Sequence, residues 1–346
     1  MKIITPSTTE LTQGRAATPM AFIRAIVLGY RRRGMNPANM LEQARISPDA
    51  LDDPCARVTA AQMELACGMA MQELDDEALG WFSRRLPWGS YGMLCRASLT
   101  APTLEVALKR WCRHHRLLID DLTLEFSHQR SSASVSIHEA RDFGEMRELC
   151  LVSTLRYLLG YLSWLVDSRI ALSESSFPFA APPHLDAYPY LFPGALRFET
   201  TQAGFSFDSR YLSLPVRRDE RALQTMLQRA LPLTVLQYRR DRLLVHSVSQ
   251  LLQANPGAAH TAEQLALQLN LSVRTLHRQL KEEGVSLQSL KNEVRHERAI
   301  KLLLQTRKPI KQIAAAAGFD SEKSFARAFR KWTGVAPSSY RDGAAA

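Results

Sequence analysis

The chain of 346 residues carries 44 Lys and Arg against 34 Asp and Glu, a net charge of +10, and is 46% hydrophobic. That length exceeds one ordinary domain and points to two, with enough apolar residues for a sizeable core. The composition excludes collagen-like, disordered and coiled-coil chains.

The charge is uneven. Residues 242–346 hold 16 Lys and Arg against 8 Asp and Glu, whereas the first 241 residues hold 28 against 26. A basic excess confined to one part of a chain points to a polyanion, usually nucleic acid.

The opening MKIITPSTTELT is polar and lacks the apolar run and cleavage site of a secretory signal. AFIRAIVLGYRRRG, NMLEQARI and TAAQMELACGMAMQEL then repeat apolar residues at helical spacing, with Gly34 as the stop of the first helix. TLEVALKRWCRHHRLLI predicts another helix. LTLEFSHQRSSASVSI switches to a period of two and predicts two strands around a turn at His128–Ser132. LCLVSTLRYLLGYLSWLV, Leu149 to Val166, is just long enough to span a bilayer. It carries Arg156, Ser153, Thr154 and Ser163, so a buried core helix is expected and no membrane span. IALSESSFPF, ALRFET and AGFSFD predict three further strands, and a helical stretch runs from about Asp219 to Gln253. The first part, residues 1–240, therefore reads as an α+β domain, with a soft boundary near Tyr238–Asp241, where YRRDR reads as a solvated helix face. The five cysteines, Cys55, Cys67, Cys95, Cys112 and Cys150, are scattered and form no C-x-x-C. Reduced, mostly buried thiols of a cytoplasmic protein are expected.

Residues 241–346 contain a repeat. TAEQLALQLNLSVRTLHRQLKEEG and IKQIAAAAGFDSEKSFARAFRKWTG share one plan: Leu265-Ala266 matches Ile313-Ala314, and Asn270-Leu271 matches Gly318-Phe319, each 48 residues on. Past the turn the offset becomes 49, with Ser272 matching Ser321, Leu276 matching Phe325 and Leu280 matching Phe329. Helix, tight turn, helix, twice over, is the helix-turn-helix plan. Thr261 and Gln264 form a capping box, and Pro309 opens the corresponding helix of the second copy. Asn270 and Gly318 tolerate the left-handed turn, and Ser272 and Ser321 can cap the second helices. Ala266 and Ala314 are small so that the second helix of each pair can cross closely. On those second helices Leu276 and Leu280, and Phe325, Phe329 and Trp332, face inward. Arg274, His277, Arg278 and Lys281, and Lys323, Arg327, Arg330 and Lys331, face out, where arginine can read guanine edges and lysine can neutralise phosphate. Between the pairs, SLQSLKNEVRHERAIKLLLQTRK predicts one helix of about 20 residues, roughly 30 Å long, able to hold two recognition helices about one DNA turn apart.

The stretch Leu243–Arg341 resembles the DNA-binding domain of the AraC/XylS family of bacterial transcription regulators. The resemblance rests on Arg295-x-x-x-Ala299-x-x-Leu302-Leu303, and on the run from Ile310 that closes Gly334-x-x-Pro337-x-x-Tyr340-Arg341. It implies an all-α C-terminal domain with two helix-turn-helix units joined by a long linker helix. It assigns base reading to Arg274, His277 and Arg278 in the first unit and to Glu322, Lys323 and Arg327 in the second. Ser272, Thr275, Lys281, Ser321 and Arg330 complete the expected DNA-binding set. WFSRRLPWGSYGMLCRASLTAPTLEVALKRW and YLFPGALRFETTQAGFSFDSRYLSLPV resemble, more loosely, the "arabinose-binding" type of effector domain, and nothing matches the sugar-binding jelly roll.

The resemblance implies double-stranded DNA as partner, a small-molecule effector of unknown identity, room for a homodimer, and RNA polymerase if the protein activates. A cytoplasmic protein without cofactor, metal or membrane partner is expected. The competing readings are an architectural DNA-binding protein whose N-terminal domain only dimerises, and an enzyme. The related DNA-binding module of an alkylation-repair methyltransferase accompanies a Pro-Cys-His-Arg nucleophile and a four-cysteine zinc site, and neither occurs here. WCRHH, Trp111–His115, scatters its Cys and His around a helix, and there is no Walker A, G-x-G-x-x-G or H-E-x-x-H. The aromatic segments Pro87–Tyr91 and Tyr188–Phe192 either line a ligand pocket or pack strands against helices.

Overall fold

The structure is a computed structural model describing residues 16–231, 241–254 and 260–343. The N-terminal dozen and Tyr238–Arg240 of the YRRDR run lie outside the described residues. The backbone divides into two compact units, Met1–Asp241 and Arg242–Ala346.

The first unit opens with β1 (Ala16–Pro19) and α1 (Met20–Arg32). Gly34, at φ +67°, ends α1 as expected: its N–H reaches the Arg31 carbonyl, and that of Met35 the Tyr30 carbonyl. After α2 (Ala38–Gln43), β2 (Arg57–Thr59) pairs antiparallel with β1. Strands of three and four residues are too short to show alternation, so the sequence gives no sign of this pair. α3 (Ala60–Glu73) starts from a capping box between Thr59 and Gln62. α4 (Ser90–Leu99), likewise unexpected, has Gly92 inside it and opens on Gly89 at φ +102°, both of which weaken a helical pattern. α5 (Leu104–Leu118), the hairpin of β3 (Leu122–His128) and β4 (Ser132–Glu139), and the buried α6 (Arg147–Leu165) follow the sequence closely. β5 (Leu172–Ser176), α7 (Tyr188–Leu191), β6 (Ala195–Arg197), β7 (Ala203–Asp208) and α8 (Glu220–Leu227) complete the unit. The main sheet has the order β3-β4-β7-β5-β6, antiparallel except for the β5–β6 pair. Alternate residues Ala133, Val135 and Ile137 of β4 and Ala203, Phe205 and Phe207 of β7 are buried on its core face.

No helix among the described residues is long and apolar enough to cross a membrane. α6 is instead a core helix, and its one deeply buried cation is answered locally. Arg156, 3% exposed, donates to the Leu191 carbonyl at 2.7 Å and lies 5.8 Å over the Phe192 ring. Tyr188 and Phe192 are fully buried against Phe177, so these two rings pack strand against helix, while Tyr190 between them is exposed. The helical stretch expected over Asp219–Gln253 is met by α8, which ends at Leu227, and by a second helix from Leu243, while residues 232–240 lie outside the described residues.

A cavity of about 350 Å³ opens in the first unit between α3, α4, α5 and the segment 227–231. Trp88, Gly89 and Tyr91 border it, so the Pro87–Tyr91 segment contributes to a pocket.

The second unit is helical among its described residues: α9 (Leu243–Ala254), α10 (Ala262–Gln268), α11 (Val273–Glu282), α12 (Leu287–Gln305), α13 (Ile310–Ala316), α14 (Glu322–Thr333) and α15 (Pro337–Gly343). It has two apolar clusters, and α12 belongs to both. Leu287, Leu290 and Val294 join Val248, Leu265, Leu276 and Leu280. Ala299 and Leu303 join Ile313, Ala314, Phe325 and Phe329. At about 100° per residue the two stripes lie on roughly opposite sides of α12.

Cys67, Cys95, Cys112 and Cys150 are buried and Cys55 is exposed, all as free thiols. Within WCRHH, His114 Nδ1–H donates to the Arg110 carbonyl at 2.7 Å, and His115 Nε2 lies 3.2 Å from the Tyr157 hydroxyl. The described residues contain no group of three or more His, Cys, Asp or Glu able to hold a metal.

Burial pushes the His115 imidazole down to about 4 from its ordinary 6.5. An unfolded chain takes up this proton as pH falls through 6.5, while the folded chain resists until about 4. Stability is therefore fully present above pH 6.5 and falls, by roughly 1.4 kcal/mol per pH unit from this residue, down to about pH 4. His115→Gln is expected to flatten that slope in denaturant unfolding of the full-length protein between these pH values. Equal slopes for the variant and the parent would contradict a buried neutral histidine.

Candidate nucleic-acid interface

The two helix pairs of the second unit are built alike down to single hydrogen bonds. α10 and α13 each have seven residues. After α10, the N–H groups of Leu269, Asn270 and Leu271 reach the carbonyls of Leu265, Leu267 and Ala266. After α13, those of Ala317, Gly318 and Phe319 reach Ile313, Ala315 and Ala314, the same bonds 48 residues on. The pivot is left-handed in both: Asn270 at φ +54° and Gly318 at φ +82°. Asparagine bears this conformation at some cost, and glycine without one.

The second helix of each pair starts from a serine cap. Ser272 accepts from the Thr275 N–H and Ser321 from the Ser324 N–H. Ser272 and Thr275 also share a side-chain hydrogen bond of 2.8 Å, so Thr275 is half-buried within the cap, not free at the surface. Thr261 and Gln264 form the expected capping box, and Pro309 occupies the cap of α13. The Glu263 carboxyl, in the first turn of α10, is held below the usual range by its own backbone N–H and the Thr261 hydroxyl.

Amphipathicity then sorts the side chains. Leu276, Leu280, Phe325 and Phe329 are fully buried. Arg274, His277, Arg278 and Lys281 are exposed on α11, spaced three and four apart and hence on one face. Glu322, Lys323, Arg327 and Arg330 are likewise exposed on α14, with Lys331 beside them. The nearest carboxylate to Arg278 is Glu282, at a loose 3.9 Å. Such an exposed pair contributes little and leaves the guanidinium available.

The alanines of α13 divide by position. Ala314 and Ala317 are 1% exposed and pack in the second cluster, whereas Ala315 faces outward. Ala266 of α10 is 2% exposed against Leu276 and Leu280. Arg295, part of the linker-helix motif, and His296 have packing roles that the sequence pattern does not show. Arg295 Cζ lies 5.3 Å over the Phe319 ring and the His296 ring 5.0 Å from Trp332, which ties α12 to the second turn and to α14. Their placement four and three residues before Ala299 was the available signal.

A sheet-and-helix first unit followed by a basic helix-turn-helix unit defines a DNA-binding transcription regulator. Residues 34–216 match the family model "Arabinose-binding domain of AraC transcription regulator, N-term", and residues 265–343 match a helix-turn-helix domain model. The chain belongs to the AraC family of transcription regulators. It is 27% identical over 325 residues to the ornithine utilization regulator of Pseudomonas aeruginosa, spanning 94% of this chain and 96% of that protein. Among solved structures it is similar to the transcriptional regulator CdpR of Pseudomonas aeruginosa, at 21% identity over 93% of this chain and 98% of that one, with a TM-score of 0.33. It is also similar to a DNA-binding transcriptional dual regulator of Escherichia coli K-12, at 28% identity over 30% of this chain and 92% of that one, with a TM-score of 0.29.

If Ala314 is small because α14 crosses it closely, Ala314→Leu overpacks the crossing and costs about 1–3 kcal/mol of stability. Ala315→Leu, on the exposed side of the same helix, is expected to change stability by less than about 0.5 kcal/mol. Equal thermal shifts for the two full-length variants would contradict the close crossing.

Proposed function

We propose that the protein is an effector-responsive regulator that reads DNA with two helix-turn-helix units, α10–α11 and α13–α14, joined by α12. Residues 241–346 form the DNA-binding domain and residues 1–240 the effector-binding and dimerisation domain. The observation that carries this reading is the duplicated turn, followed in each copy by a capped helix with one apolar and one cationic face. One cationic helix could be a solvated surface; two built on the same bonds argue for a shared task.

α12 has 19 residues and is therefore about 28 Å long. A spacer of that length suits two recognition helices entering successive major grooves on one face of DNA, about 34 Å apart. Arg274 and Arg278, and Arg327 in the second unit, are the guanine-reading candidates. His277, Glu322 and Lys323 face the bases beside them; Glu322 suits a cytosine amino group. Lys281 and Arg330 sit further along each helix and suit phosphate. Ser272 and Ser321 fix the helix starts, with Thr275 supporting the first. A homodimer would double the half-sites, RNA polymerase is the further partner of an activator, and a cytoplasmic location follows from a DNA target.

The experiment is selection of a binding site from random duplex DNA with the full-length protein, followed by titration of variants. Arg274→Ala, Arg278→Ala and Arg327→Ala are each expected to weaken the selected site by about 1–3 kcal/mol while changing random DNA less. Equal losses on both DNAs would reduce these residues to phosphate contacts. Failure to select any sequence would overturn specific reading.

A further inference from the structure

The cavity of the first unit has walls that define what fits it. Its volume of about 350 Å³ lies within the range of small-molecule sites. It equals roughly a dozen water volumes at ~30 Å³ each, and bonded atoms pack more tightly than waters, so a two-ring molecule fits. Met63, Leu86, Trp88, Tyr91, Leu118 and Tyr157 supply much of the lining.

The ionisable groups among the described lining residues are already answered within the protein. Glu64 holds Arg229 through two bonds of 2.7 and 2.9 Å. Glu77 accepts the N–H groups of Gly89 at 2.7 Å and Tyr91 at 2.6 Å. Arg96 pairs with Glu220 at 2.8 Å. Burial pushes the Cys67 thiol up to about 12 and the His115 imidazole down to about 4, so both are neutral near pH 7. A charged ligand would surrender its hydration to a wall whose charges are engaged elsewhere; a neutral apolar one loses nothing comparable.

The second observation is what closes the cavity. Leu227, Gln228, Arg229, Ala230 and Leu231 form one wall. They are the last described residues of the first unit before Asp241, so the chain leads from this wall to the DNA-binding unit. The Arg229–Glu64 pair fastens the wall to α3, with Glu64 only 6% exposed. On the α4 side the fit is tight: a Cβ on Gly92 would lie 3.1 Å from Leu227 Cδ1. A molecule pressing on this wall acts on the segment through which one unit continues into the other.

We propose that the cavity binds an uncharged, mainly apolar small molecule of about two-ring size, and that the Arg229–Glu64 pair couples its occupancy to DNA binding through residues 227–231. The inference rests on the reading of the protein as an effector-responsive regulator, and deepens it by naming the effector class and the latch. Any coupling must come from differential affinity for two arrangements of this wall.

The test uses the full-length protein and prodan, a neutral two-ring dimethylaminonaphthyl ketone, against the corresponding dimethylaminonaphthalene sulfonate. Prodan is expected to bind saturably with blue-shifted emission, at least about tenfold tighter than the sulfonate. Leu118→Trp and Met71→Trp, at half-buried positions of the lining, fill the space and are each expected to abolish that signal while unfolding cooperatively like the parent. Saturating prodan is expected to change affinity for the selected DNA site about fivefold or more, within the usual span of such couplings. The double variant Arg229→Gln with Glu64→Gln is expected to lose the DNA response even at prodan concentrations that saturate its own emission titration. No prodan binding, equal binding of the sulfonate, or binding that survives both tryptophan variants overturns the site. Binding without any DNA response, or a response that persists in the double variant, overturns the latch. A protein that selects no DNA sequence fails the regulator reading instead, and the prodan titrations still decide the cavity.

Discussion

The second unit depends on one helix serving two cores. α12 gives Leu287, Leu290 and Val294 to the first cluster and Ala299 and Leu303 to the second. Neither helix pair closes a core alone; each completes its apolar cluster with a different stretch and a different side of the same helix. Because interiors are close-packed, each contact fixes position as well as adding stability. The separation and relative rotation of α11 and α14 are then set by the pitch of an uninterrupted helix. Arg295 over Phe319 and His296 beside Trp332 reinforce the second of the two attachments.

The same constraint accounts for the plain character of α10 and α13. Each is two turns long, ends in a left-handed pivot, and presents a small buried residue, Ala266 or Ala314, toward its partner helix. Bulk at the crossing would push the cationic helix away from the core that orients it. Bulk on the outer side is free, which is why Leu267 of α10 can be 78% exposed and Ala315 of α13 can face solvent. Basic side chains on α11 and α14 are then displayed by a scaffold that leaves them little freedom except at their tips.

Much of this was legible in the sequence because it is local. The capping box at Thr261, the serines at positions 272 and 321, the pivots at Asn270 and Gly318, and the inward Leu and Phe pairs all lie within a few residues of what they organise. The repeat offset, 48 before the turn and 49 after it, carried the rest. The first unit was legible in its long elements and not in its short ones. β1 and β2 are too brief to alternate, and α4 holds Gly92 where it meets Leu227. The cavity was legible only in the Pro87–Tyr91 segment as a candidate wall. Its walls come from residues near 63–72, 77–96, 115–118, 153–157 and 227–231, which only tertiary folding brings together. For the Tyr188–Phe192 segment the sequence left pocket lining and packing open; Tyr188 and Phe192 pack, against Arg156 and the rings of Phe177 and Phe198, while Tyr190 is exposed.

On the proposed function, α12 holds α11 and α14 in register with DNA. Guanine N7 methylation protection on a selected site, with hydroxyl-radical footprinting of the same complex, tests it most directly. Two major-groove patches per protein chain are expected, about 10 base pairs apart on one face of the duplex, with sugar protections flanking each. A single protected patch, or two patches on opposite faces, would contradict it.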